Sequence, residues 1–117
     1  MATILIAEDE PRIAAFMSKG LQKAGYLTHT ATDGHQALAL ALAVQFDLIL
    51  LDISLPGIDG WSVLREFRSH SLKTPVIVVT AFDGVEERNH SLTLGANEYI
   101  SKPFRFKTLL AYIRRYV

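Results

Sequence analysis

Four short apolar runs fix what this chain can fold into. Ile4-Leu5-Ile6-Ala7, Leu48-Ile49-Leu50-Leu51 and Val76-Ile77-Val78-Val79 carry no polar residue, and Tyr99-Ile100-Ser101 is nearly as apolar. Strands without polar alternation are buried on both faces, as in a parallel sheet covered by helices. Each run also ends at a side chain capable of chemistry: Glu8 and Asp9 after the first, Asp52 after the second, Thr80 after the third, Lys102 after the fourth. A site is expected where these runs leave the core.

Helix-like segments alternate with the runs. Strand 3–8 precedes a helix over 11–24, with Pro11 suited to its first turn, Gly25 just past its end, and Ile13, Phe16, Met17 and Leu21 at helical spacing. Strand 26–31 leads to Thr32-Asp33-Gly34, which opens an Ala/Leu-rich helix ending near Val44. Strand 47–52, the Pro56-Gly57 turn and a helix over 60–69 follow, with Trp61, Leu64 and Phe67 three apart. Strand 76–80, a helix over 84–94 closed by Gly95, strand 97–101 and a helix over 105–116 complete the series. Gly57 and Gly60 are expected to supply backbone freedom in the loop after the third strand. Five strand–helix units imply one α/β domain over 1–117, a parallel sheet with right-handed crossovers and helices on both faces.

In such sheets ligands bind beyond the carboxyl ends of the strands, where strand order reverses. For an order 2-1-3-4-5 that point lies between strands 1 and 3, which carry Glu8, Asp9 and Asp52. Adjacent strands lie about 4.8 Å apart, so these carboxylates crowd together and call for a cation among them. Oxygen-only ligands suit a hard divalent ion, and Mg2+ fits best because it keeps waters and accepts phosphate oxygens.

The remaining composition excludes more than it suggests. Twelve lysines and arginines balance twelve aspartates and glutamates, so charge gives no argument for direct nucleic-acid contact. No apolar run is long enough to span a bilayer, and no membrane association is expected. Cysteine is absent, which removes thiolate chemistry and disulfides and fits a cytoplasmic setting. His29, His35, His70 and His90 show no ligand spacing and read as surface residues, none a convincing phosphodonor. Trp61, Phe67, Phe104 and Phe106 read as packing residues.

Ile-Ala-Glu8-Asp9-Glu10, Leu-Leu-Asp52-Ile-Ser-Leu-Pro56-Gly57-Ile-Asp-Gly60, Val-Val-Thr80-Ala81 and Tyr99-Ile-Ser-Lys102-Pro103-Phe104 together resemble the receiver domain of two-component response regulators. The resemblance covers essentially the whole chain and implies a flavodoxin-like three-layer fold with a five-stranded sheet of order 2-1-3-4-5 and five helices. It implies that Asp52 is the phospho-accepting nucleophile. Asp9, Asp52 and the Ser54 carbonyl would be the Mg2+ ligands, with Glu8 acting mainly through water. Lys102 would pair with a phosphoryl oxygen, and the Ala81 amide would support another. Thr80 would be the switch hydroxyl and Tyr99 the aromatic that moves with it, and the Lys102-Pro103 bond would be cis. The donor would be a sensor histidine kinase or phosphotransfer protein docking beside Ile13-Ala14 of the first helix. The output would be the surface of helix 4, strand 5 and helix 5.

The segment from Lys102 to Val117 resembles in particular receivers that precede a winged-helix DNA-binding domain, in which that surface forms a homodimer face. Tyr112 here replaces an arginine, and Asn97-Glu98 replaces paired aspartates, although Glu98, Arg114 and Arg115 remain available. On this reading the domain is a phosphorylatable signalling module rather than an enzyme. A degenerate receiver acting only as a binding module is the first alternative. A Mg2+-dependent phosphohydrolase is less favoured, because Ser54 stands where its second acid would be.

Overall fold

The computed structural model describes residues 1–117. It consists of β1 (Thr3–Ala7), α1 (Pro11–Lys23), β2 (Leu27–Ala31), α2 (Gly34–Ala43), β3 (Leu48–Leu51), α3 (Gly60–Ser69), β4 (Val76–Thr80), α4 (Val85–Thr93), β5 (Glu98–Ser101) and α5 (Phe106–Ile113). All neighbouring strands are parallel, in the order β2-β1-β3-β4-β5. The strands close up to one residue earlier than their sequence patterns suggest. Glu8, Asp52 and Lys102 therefore stand just past β1, β3 and β5, while Thr80 is the last residue of β4. α5 is shorter than expected, ending at Ile113.

Alternation along each strand divides the core into two layers. Ile4, Ile6, Leu48, Leu50, Ile77 and Val79 pack against Met17 and Leu21 of α1 and Leu109 and Ile113 of α5. Leu5, Ala7, Ile49, Leu51, Val76 and Val78 face α2 and α3 through Ala37, Ala41, Val63, Leu64 and Phe67. Local signals set the helix ends. Asp33 caps α2 by accepting from the Gln36 amide at 2.7 Å, and Asp59 caps α3 by accepting from the Ser62 amide at 3.0 Å. Gly25 and Gly95 follow α1 and α4 with φ of 98° and 107°, conformations that end a helix and suit glycine.

Helix α1 corrects one expectation. Ala14, Met17 and Leu21 form its buried stripe, whereas Phe16 is 52% exposed. The three buried positions share one helical face, and Phe16 sits on its shoulder against Phe104 and Phe106, at ring separations of 6.4 and 5.9 Å. Of the Ile13-Ala14 pair expected to meet a docking partner, Ala14 is therefore inside the protein. Ile13 and Phe16 are the reachable pair.

Arg68, which no motif singles out, ties the far end of the sheet. Its guanidinium donates to the carbonyls of Leu72, Thr74 and Gly95 and to Asn97 Oδ1, which also accepts from the Val76 amide. One side chain thereby joins the end of α3, the entry to β4 and the turn before β5.

Candidate functional site

The register of β1 against β3 pairs Ala7 with Leu51, so Glu8 and Asp52 leave the sheet side by side. The Asp52 amide donates to the Ala7 carbonyl at 3.0 Å, fixing that exit. One carboxylate oxygen from each of Glu8, Asp9 and Asp52 lies within 4.8 Å of the other two. Glu8 and Asp52 are only 1% and 3% exposed, whereas Asp9 is exposed at the mouth.

Two buried carboxylates side by side require a counter-charge, and Lys102 supplies it. Its amide donates to the Thr80 carbonyl at 2.7 Å, and its Nζ donates to Glu8 Oε1 at 2.5 Å and Asp52 Oδ2 at 2.8 Å. Glu8 bonds directly to the lysine, a contact separate from the water-mediated role toward a metal expected of it. Burial pushes the Glu8 carboxyl above the usual range, and the nearby Asp52 charge adds to this against Lys102 and the Glu10 amide. Burial acts on Asp52 in the same direction. There Lys102 and the Ser54 amide and hydroxyl outweigh it and hold the carboxyl below the usual range. Burial would lower Lys102, but its two carboxylate partners raise it above an ordinary lysine. Of the two carboxyls, Asp52 is therefore the one held toward its ionised form.

The Ser54 contribution was missed in sequence. Both its amide, at 3.0 Å, and its hydroxyl, at 2.9 Å, donate to Asp52 Oδ1. An aspartate followed two residues later by serine is the signal for such a local turn, and it could have been read.

Thr80 is fully buried, and its hydroxyl accepts from the Phe82 amide at 3.3 Å. Ala81 follows on the exposed loop to α4. Tyr99, half-buried on β5 beside β4, donates its hydroxyl to the Phe82 carbonyl. Burial, with Glu87, Asp83 and Asp52 nearby, raises its phenol above the usual range. One loop residue therefore meets both Thr80 and Tyr99. Lys102-Pro103 is cis. Beside the pocket, Ile13, Phe16, Ala81, Lys102, Pro103 and Phe104 line an open, mostly apolar cleft.

Gly57 has a φ of 82° and supplies the backbone freedom expected of it. Gly60 does something else. A Cβ there would stand 2.4 Å from Ile53 Cα and 2.6 Å from the Asp52 carbonyl oxygen, both backbone atoms that cannot move aside. Gly60→Ala is expected to cost about 1–3 kcal/mol in urea unfolding and to displace the Asp52 loop. Unchanged stability would show that the loop yields.

The donor set fits a hard cation. Glu8, Asp9 and Asp52 offer oxygen only, and Asp9, exposed at the mouth, brings a charge that can face an ion.

The fold and site together define a doubly wound α/β class with a carboxylate–lysine pocket at the strand-order switch point. Within that class the chain belongs to the response regulator receiver domain family, whose model matches residues 4–114. It is 46% identical over 111 residues to the transcriptional regulatory protein HprR of Escherichia coli, covering 95% of this chain and 49% of that protein. It is likewise 46% identical over 112 residues to the transcriptional activator protein IrlR of Burkholderia pseudomallei, covering 95% and 48%. The chain thus spans about half the length of these relatives. The receiver domain of the Francisella response regulator 1452 superposes with a TM-score of 0.95 at 32% identity, covering 98% of this chain and 95% of that one. The Thermotoga maritima response regulator TrrA, solved in complex with Mg2+ and BeF, superposes with a TM-score of 0.90 at 33% identity over the whole of both chains. The four Glu-Asp, Asp, Thr and Lys-Pro motifs were therefore a sufficient guide to the family.

Proposed function

We propose that residues 1–117 act as one phosphoacceptor unit in which Asp52 takes a phosphoryl group from the phosphohistidine of a sensor kinase or phosphotransfer protein. The observation that carries this reading is the buried Asp52 carboxylate, 2.8 Å from the Lys102 ammonium just past the end of β3. An Asp52 oxygen attacks phosphorus, a P–O bond forms as the P–N bond breaks, and the leaving imidazole keeps the electron pair. Asp9, Asp52 and the Ser54 carbonyl would hold Mg2+, with Glu8 behind them. The ion, when bound, would neutralise charge on the transferring group. Lys102 would turn its ammonium from Asp52 to a phosphoryl oxygen, and the Ala81 amide would serve another. The reaction happens once per signal, so the unit is a switch rather than an enzyme.

The added charge of roughly −1.5 to −2 would draw the Thr80 hydroxyl from the Phe82 amide toward Asp52. Tyr99, bonded to the same Phe82, would follow, and the α4–β5–α5 surface would carry the change. Homodimerisation through that surface is the proposed output. Its Glu98 is already engaged within the chain, by the Tyr116 hydroxyl at 2.6 Å and Arg115 at 3.4 Å. Pairing would have to exchange those contacts. No helix is long and apolar enough to cross a membrane, and the proposed setting is the cytoplasm.

Intact-mass measurement with acetyl phosphate tests the chemistry: one phosphoryl group gained with Mg2+ and none with chelator. No gain in either condition would favour a binding-only module. Neither Ser54 nor Phe82 carries an acid or amide able to orient an attacking water, so the phosphorylated form should persist for minutes or longer. Loss within seconds, followed by the same mass measurement, would contradict this.

A further inference from the structure

The helix nearest the switch loop meets α3 through one side-chain hydrogen bond, beside the modest apolar packing of Leu92. Ser91 is the only buried residue of α4, which is otherwise exposed or partly buried and polar in composition. Trp61 of α3 donates its indole N–H to Ser91 Oγ at 2.9 Å, and that hydroxyl donates onward to the Glu87 carbonyl at 2.9 Å. The His90 ring stands at 87° to the indole, 4.7 Å away between centroids. A serine bonding back to the carbonyl four residues earlier is ordinary helical behaviour. Receiving a donor from another helix at the sole buried position is not. It makes the pair a fixed point for an element with little apolar burial of its own.

We infer that the Trp61–Ser91 hydrogen bond is a latch that holds α4 against α3 and opposes the phosphorylated arrangement. The inference rests on the phosphoacceptor reading above. The loop Ala81–Gly84 joins Thr80 directly to α4. For the Thr80 hydroxyl to meet a phosphoryl group it must release the Phe82 amide, and α4 must follow its loop. A contact made only before that movement lowers the affinity of the site for any ligand that demands the movement.

The test uses beryllofluoride with Mg2+ as the probe, titrated calorimetrically into the native chain, Ser91→Ala, Trp61→Phe and the double variant. Each single change should tighten apparent binding about threefold to tenfold, the worth of one hydrogen bond, and the double change no more than either single, since both remove the same bond. Alanine is the better helix former, so α4 is kept in the first variant. Independently, Trp61 is the sole tryptophan, and its indole N–H resonance in the native chain should shift on saturation. Equal or weaker binding by the variants, additive effects, or an unmoved resonance would overturn the latch. Binding by the native chain with unchanged affinity in all variants would refute the latch alone. No binding by the native chain would refute the phosphoacceptor reading and the latch with it.

Discussion

Asp52→Asn should gain no phosphoryl group from acetyl phosphate under conditions that fully modify the native chain. The amide oxygen is too weak a nucleophile to form the acyl phosphate, and asparagine brings no charge to help hold a cation. Shape is almost unchanged, so the result separates chemistry from folding. An asparagine oxygen can still accept from Lys102 or from Ser54, and Lys102 keeps Glu8. The Glu8 carboxyl, raised chiefly by burial and further by the Asp52 charge, should move down in the variant by the Asp52 part alone, which a carboxyl-labelled titration would follow. Incorporation by the variant at the native rate would move the acceptor to Asp9, the exposed acid of the same cluster.

The architecture was legible because parallel strands announce themselves twice. β3 is buried at every position, so Leu48-Ile49-Leu50-Leu51 had to be apolar throughout, and the sheet geometry then brought its exit beside that of β1. Reactive residues at those exits were visible for the same reason. Side-chain partnerships were less so. Lys102 and Glu8 are far apart in sequence, and nothing local says that the lysine bonds to Glu8 as well as Asp52. Arg68 looked like any charge near the end of an amphipathic helix, yet its guanidinium reaches three carbonyls in two separate links, those before β4 and before β5. Gly60 was misread because a glycine needed for close approach and one needed for positive φ are identical in sequence. Phe16 shares the helical spacing of Met17 and Leu21, and only its packing on Phe106 at the start of α5 shows that it stands beside the buried stripe rather than in it.

The largest expected change in stability comes from Lys102→Met. Methionine fills similar length without charge, leaving Glu8 and Asp52 buried together with no cation. Removing one partner of a buried ionic group costs about 3–5 kcal/mol, and that loss is expected at neutral pH in urea unfolding. The pH dependence follows from the direction of each shift. In the native chain the raised Lys102 contributes stability that is complete below the ordinary lysine range and is lost as pH rises through its raised value. The lowered Asp52 contributes above the ordinary aspartate value and is lost as pH falls through its lower one. The bridge therefore survives throughout the middle of the pH scale. In the variant the lysine no longer holds Asp52 down and only the Ser54 hydrogen bonds still do, so burial with mutual repulsion moves both carboxyls up relative to the native chain. Protonation then relieves the folded state, so the deficit relative to the native chain should shrink as pH falls from about 7 toward 5. Added Mg2+ should narrow it by a second route, since an ion bound only by the folded chain stabilises it by mass action and no longer competes with an ammonium. A deficit that stays constant over that range and ignores Mg2+ would mean that the lysine contributes packing alone, and the electrostatic account of the pocket would fall.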